Sequence, residues 1–208
     1  MPDLAARSCE DFASALASTA PVPGGGGAAA LAGALAASLG AMAGRLSAGR
    51  KKTEEERLAL LERAASADGL RLRLLDLIDR DAACFEPLSR AYSLPREDPQ
   101  RREKLRAASL TACEAPMEML RCCTEAAGLL EELHGRVSPL LLSDVGCAAA
   151  LCRGAIEAAA MNVWVNTRSL REDGEALALE QETRRLLDAA LPILERTVAA
   201  VRDRLENH

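Results

Sequence analysis

Apolar residues recur at alternating four- and three-residue steps through most of the chain, the spacing of one buried helix face. Leu70, Leu74, Leu77, Asp81, Cys84 and Leu88 form one such stripe, with an aspartate in its middle. Leu105, Ala108, Ala112, Ala115, Met119, Cys122, Ala126, Leu129 and Leu133 form a second. A third joins Leu177, Arg184, Leu187, Leu191, Leu194, Val198, Val201 and Leu205. Between the stripes stand helix stops and starts. Pro21-Val22-Pro23 ends a first helix expected from about Asp3 to Ala20. A small-residue helix follows the glycines and reaches about Ser47. Thr53 and Glu56 make a capping box for a long third helix that ends near Tyr92, before Leu94-Pro95. Asp98-Pro99 opens a fourth helix, expected to run on to Leu133 with a kink at Pro116. A fifth begins near Ser143-Asp144 and runs to about Leu170. A sixth starts near Gly174 and bends at Pro192. The pattern predicts an all-α fold: a single domain over residues 1–208, an up-and-down bundle of about six long helices, some kinked at proline.

Composition supports this reading. Ala (42) and Leu (34) exceed a third of the 208 residues, whereas Ile and Val total 10 and aromatics are 2%, too few for a sheet. A net charge of −5 and the scarcity of stacking aromatics exclude a general nucleic-acid binder. Seven cysteines without CxxC spacing, and no secretory leader at the start, predict free thiols in the cytoplasm. Residues 20–44 carry no charge, but their leucines, Leu31, Leu35 and Leu39, form one stripe among Ala, Gly and Ser. That suits close packing inside a protein better than insertion into a membrane.

Familiar catalytic signatures fail. The two histidines, His134 and His208, are far apart, so no HExxH metal site exists. The P-loop-like stretch from Gly44 to Arg50 has Arg in place of Lys and follows a helix, and there is no GxSxG elbow. The remaining chemistry is more particular. Pro23-Gly24-Gly25-Gly26-Gly27 precedes a helix, leaving backbone N–H groups to face an anion or carbonyl. Asp81 on a leucine stripe needs either a partner or a use. Asp144 and Asn162 are separated by five helical turns and share a face, about 27 Å apart, with Asn166 one turn further on. They line opposite ends of a long groove or serve different sites.

Together these residues carry a resemblance. The string PVPGGGGAAALAGALAASLGAMAGRLSAGRKK resembles the N-terminal signature of the formiminotetrahydrofolate cyclodeaminase / methenyltetrahydrofolate cyclohydrolase family. Further matches are DRDAACFEPLSRAYSLP around Asp81, the Ser143-Asp144 pair, and Asn162-Val163 with Asn166 and Asp173. The ordered set covers the chain from Phe12 to Asp173. Gly27 replaces the family's usual Ser, and Gly135-Arg136 its usual Gly-Asn.

The resemblance implies an enzyme acting on tetrahydrofolate that carries a one-carbon unit. It either cyclises 5-formimino-tetrahydrofolate to 5,10-methenyl-tetrahydrofolate with release of ammonia, or interconverts the methenyl and 10-formyl forms. It assigns Asp81 and Asp144 as the catalytic carboxylates. Gly24, Gly25, Gly26, Ser143, Asn162 and Asn166 bind substrate, and Arg50, Lys51 and Lys52 meet the anionic glutamate tail. No metal and no cofactor are implied, and a homodimer is expected. Two other readings stand beside it: a folate-binding relative without turnover, and a structural helical interaction protein whose polar core residues satisfy one another.

Overall fold

The structure is a computed structural model describing residues 3–49 and 52–207. Seven α-helices follow in order: α1 (Cys9–Leu16), α2 (Gly25–Ser47), α3 (Glu54–Tyr92), α4 (Arg101–Thr111), α5 (Glu114–His134), α6 (Leu142–Thr167) and α7 (Gly174–Glu206). A 3-10 turn, Pro139–Leu141, leads into α6, and no strand occurs among the described residues. The five long helices α2, α3, α5, α6 and α7 make the expected bundle.

The helix ends follow local chemistry. Thr53 and Glu56 close the capping box on α3, with side chains and backbones bonded reciprocally. Asp173 caps α7 by accepting from the N–H groups of Glu175 and Ala176 at 3.0 and 3.1 Å. Two boundaries differ from expectation. The first helix shrinks to α1, because Ser8 caps it and the preceding residues turn to bury Leu4, whose N–H donates to Asp79 on α3 at 2.8 Å. The expected fourth helix is two helices. Its break falls at Ala112-Cys113, and Pro116 occupies the first turn of α5, where its missing N–H costs nothing.

The leucines of α2 are turned the other way from a core stripe. Its buried face is made of Gly and Ala, while Leu35 is 49% exposed and Leu31 and Leu39 are half-buried. The bare face lets three helices approach closely. A Cβ added to Gly33 would lie 3.2 Å from both Cys123 on α5 and Leu74 on α3. One added to Gly44 would lie 3.1 Å from the Leu60 carbonyl oxygen and 3.2 Å from Ala64 Cβ. These contacts also fix direction: α2 runs antiparallel to α3 and parallel to α5. On α7 the core stripe is shifted by about a residue from the predicted one. Ala176, Thr183, Leu186, Ala190, Leu194, Thr197 and Val201 face inward, and Leu177 and Leu205 are exposed. Ala and Thr, invisible to a search for leucines, fill the close contacts.

Gly44→Val is expected to destabilise the protein by about 1–3 kcal/mol, since the Leu60 carbonyl and the Ala64 backbone cannot move aside. Urea unfolding measures this, with Leu72→Ala on the outward face of α3 as a near-neutral comparison.

Candidate active site

The glycine segment and the aspartate of the leucine stripe meet. Gly24 is the N-cap of α2, so the N–H groups of the glycines behind it have no partner within the helix. Asp81 of α3 lies against this end so closely that a Cβ on Gly26 would overlap its carboxylate. Only glycine permits that approach. Asn162 of α6 closes the third side: its amide oxygen and nitrogen would each lie 3.5 Å from a Cβ on Gly25. The Asn162 NH2 donates to the Ala158 carbonyl at 2.8 Å, which fixes the orientation of the amide group. Phe12 of α1 and Ile78 of α3 pack around Gly27.

Burial pushes the Asp81 carboxyl up from 3.8 to about 6. The Gly27 backbone N–H, which favours the ionised form, holds the shift back. Among the described residues no arginine or lysine offsets the desolvation, so the carboxyl is poised near neutrality.

The other sequence-predicted residues lie elsewhere. α6 runs antiparallel to α2, for Asn162 faces Gly25 while the Ser138 N–H, just before α6, donates to Ser47 Oγ at 2.8 Å at the far end of α2. Asp144, half-buried in the first turn of α6, and the exposed Ser143 therefore belong to the opposite end of the bundle from Asp81. Lys52 is at that end too, where its Nζ donates to the Arg136 carbonyl at 3.2 Å. Arg50 and Lys51 lie outside the described residues. Asn166 spends its NH2 on the Ala112 carbonyl at 3.0 Å, tying α6 to the end of α4. Asp173 is the α7 cap and an ion-pair partner of Arg106 at 2.5 Å.

Burial pushes the Cys113 and Cys122 thiols up to about 12, and Cys123 also rises, through its contact with Cys152 and through burial, which disfavours the reactive thiolate at these three. Among the described residues no three or more His, Cys, Asp or Glu side chains gather as a metal site. Sequence reasoning found Asp81, the glycines and Asn162. It missed Phe12 and Ile78 as the site's packing, since single apolar residues outside a motif carry no signal.

Residues 8–185 match the family model for Formiminotransferase-cyclodeaminase. The chain belongs to that family. Within it, a methenyltetrahydrofolate cyclohydrolase from Methylorubrum extorquens is 34% identical over 200 residues, covering 94% of this chain and 96% of that protein. The Formimidoyltransferase-cyclodeaminase of Sus scrofa is 29% identical over 205 residues; the match covers 94% of this chain and 36% of that longer protein. The crystal structure of formiminotetrahydrofolate cyclodeaminase from Thermotoga maritima aligns with a TM-score of 0.81 at 26% identity, over 97% of both chains. Against the family's usual Ser, Gly27 lacks a hydroxyl and not the room for one. A Cβ there would touch Pro23 at 3.4 Å and Ile78 and Phe12 at 3.8 Å, which is ordinary contact.

The raised carboxyl carries a sign that melting can read. A folded-state value above the unfolded one contributes stability that is complete below about 4 and is lost as pH climbs through about 6. Asp81→Asn removes this loss. Its advantage in Tm over wild type should therefore grow from pH 4 to pH 7, toward a limit of about 3 kcal/mol. An advantage that does not change with pH would mean that the carboxyl titrates normally.

Proposed function

We propose that this chain is a folate one-carbon enzyme, acting as a methenyltetrahydrofolate cyclohydrolase, a formiminotetrahydrofolate cyclodeaminase, or both. The observation that carries the reading is the unpaired carboxyl of Asp81, poised near pH 6 under the free N–H groups of α2 and beside Asn162. Both reactions pass through a tetrahedral carbon bridging N5 and N10. In the cyclohydrolase direction water adds to the methenyl cation and Asp81 takes a proton from it; Asp81 then returns that proton to N5 as the C–N5 bond breaks, and the remaining hydroxyl proton leaves to solvent as the 10-formyl C=O forms. In the cyclodeaminase direction N10 adds to the carbon of the protonated formimino group. Asp81 moves the N10 proton to the departing NH2, which leaves as ammonia as the methenyl cation forms. A carboxylate also stabilises the methenyl cation, and Asn162 and the α2 N–H groups hold the polar pterin edge. Neither reaction changes an oxidation state, so the chemistry calls for proton transfer and no redox cofactor.

Asp144, Ser143 and the basic residues Arg50, Lys51 and Lys52 join this site through a homodimer. α5 lies beneath both α2 and α6, and away from it both helices present apolar stripes. Leu35 and Leu46 on α2, and Met161 and Val165 on α6, are between 49% and 63% exposed. By length and hydropathy each helix is apolar enough to cross a membrane. We read the uncharged surface as subunit interface, because the inner face of α2 is already core. A two-fold axis across α2 pairs it antiparallel with its copy. The Asp81 end of one subunit then faces the Asp144 end of the other, and Lys52 comes within reach of the substrate's anionic tail. The seven free thiols fit a reducing cytoplasm.

The reading without turnover rests on the departures at Gly27 and Arg136, and following the methenyl chromophore decides it. Asp81→Asn and Asp144→Asn should each lower kcat about a hundred- to ten-thousand-fold without unfolding the protein. Gly26→Ala should also lower kcat, by displacing the Asp81 carboxylate, whereas Gly27→Ser should not. Each active site takes its two aspartates from different subunits. Mixing the Asp81→Asn and Asp144→Asn proteins should therefore restore about a quarter of wild-type activity, from hybrid dimers with one intact site. No recovery, or a stable monomer by sedimentation at micromolar concentration, would contradict the shared site.

A further inference from the structure

The segment before α2 has no part in the chemistry above, yet it is fastened beside Asp81. α1 has eight residues, too few for a helix to be stable alone. Its polar contacts stay inside it: the Asp11 N–H donates to Ser8 Oγ at 3.0 Å, and the Ser8 hydroxyl donates to the Asp11 carboxylate at 2.6 Å. Other contacts hold it to the bundle. Leu4, in the turn before α1, is buried in the main core. The N–H groups of Leu4 and Ala5 donate to the Asp79 carboxylate at 2.8 and 3.4 Å. Phe12 is the buried residue of α1 itself, and its neighbours along the helix face solvent or are half-buried. Its ring ends against Gly27: Phe12 Cζ and Ile78 Cγ2 would each lie 3.8 Å from a Cβ there. Gly27 is the residue whose N–H donates to Asp81. Ile78, Asp79 and Asp81 fall within one turn of α3, so both attachments of the segment converge on the carboxyl.

We propose that residues 3–16 form an apolar cap over the Gly27–Asp81 contact, with Phe12 as the positioning residue that keeps water from the carboxyl. The inference rests on the reading of Asp81 as the group that moves protons. A phenyl ring excludes water and offers no strong hydrogen bond in its place, which favours the neutral acid. Burial is the first cause of the rise of Asp81 to about 6, and Phe12 supplies part of it from outside α3. The groups around Asp81 are otherwise neutral, engaged or exposed. α2 carries no titratable residue from Gly25 to Gly44, and α6 presents the uncharged Asn162. On α3, Asp79 is held by the cap, and Arg80 is exposed. The Cys84 thiol, one turn on, is kept protonated by burial and by Glu114 at the start of α5. On the cap, Asp3, Arg7, Glu10 and Asp11 all face solvent. The cap therefore acts on Asp81 through exclusion of water and not through charge.

The test compares wild type with Phe12→Ala, Phe12→Leu and Leu4→Ala. Leu186→Ala, in the buried face of α7, serves as a core variant away from the site. The titration of Asp81 is read in two ways. Without substrate, it is the pH dependence of the Tm difference between each protein and its Asp81→Asn counterpart. With methenyl-tetrahydrofolate, it is the acid limb of kcat/KM. Phe12→Ala should move both down by about one pH unit, toward the ordinary carboxylate range. The direction follows from hydration: a wetter carboxyl ionises at lower pH, so the variant reaches its activity plateau earlier as pH rises. That plateau should be lower than in wild type, because the carboxylate is then a weaker base. Leu4→Ala, which loosens the attachment without changing any charge, should shift both readings the same way, and it carries the comparison if Phe12→Ala does not fold. Phe12→Leu should keep most of the wild-type behaviour. Leu186→Ala should lower Tm and leave both readings in place. A Phe12→Ala protein that melts earlier with its Asp81 titration unmoved would overturn the cap and make Phe12 ordinary core. An equal shift in Leu186→Ala would overturn it too, since the titration would then follow overall stability. A wild type that turns over no folate, with the substrate-free titration still moved by Phe12→Ala, would remove the folate reading and leave the cap standing.

Discussion

The close approach between Asp81 and Gly26 depends on the bare inner face of α2. Glycine and alanine along that face let α3, α5 and α6 come near enough for backbones to touch side chains, as at Gly33 and Gly44. Larger residues there would spread the bundle by the width of a side chain. Asp81 would then stand in solvent, with an ordinary carboxylate pKa and no helix end beside it. The packing of the core and the chemistry of the site therefore have one cause. It also accounts for the sparse use of large side chains in α2, since dispersion is gained here by proximity of small groups and less by bulk.

At Asp81 two effects oppose each other. Removal from water favours the neutral acid, and the Gly27 N–H favours the anion. Burial wins, and the carboxyl ends up at about 6. An arginine placed against it would have lowered that value and left a group unable to accept and return a proton near neutrality. Such arginines exist in the chain, but they are held by glutamates on other faces, as Arg73 is by Glu118 and Glu125.

Much of the fold was legible in the sequence because helix punctuation is local. Thr53 with Glu56, Leu94-Pro95 and Gly174 behind Asp173 each mark a helix end through contacts within a few residues. Burial direction was less legible. Leucine spacing pointed to Leu31, Leu35 and Leu39 as the packed side of α2, whereas the packed side is the alanine and glycine one. Hydrophobicity measures what a side chain prefers, and here the limit was how much space a neighbouring helix left. The break at Ala112-Cys113 was hidden for a similar reason: neither residue stops a helix, and the turn follows from how α4 and α5 dock. For the site, Asp81, Asn162 and the glycines could be named, but not their meeting. That depends on α2 running antiparallel to both α3 and α6, a long-range fact.

The distribution of charge over the surface adds a further argument about assembly. The outer faces of α3, α5 and α7 are laced with ion pairs, such as Arg63–Glu132, Arg73–Glu125 and Arg196–Glu131. Exposed pairs of this kind contribute little to stability, so their use lies in keeping those faces solvated and unattractive to other proteins. The outward side of α2 is treated differently. From Ala28 to Met42 it carries no charged residue at all, and the first charge, on Arg45, is turned sideways to Asp68. On α6, Arg153 pairs with Glu157 and reaches toward Glu195 on α7, which leaves the line through Leu151, Met161 and Val165 uncharged. This uncharged surface is the one that the proposed subunit pairing covers. The two polar ends bordering that surface, Asp81 with Asn162 and Asp144 with Lys52, are too far apart along α2 to cooperate within one subunit. In the proposed antiparallel pairing, the length of α2 that separates them inside one chain is what brings them together across two.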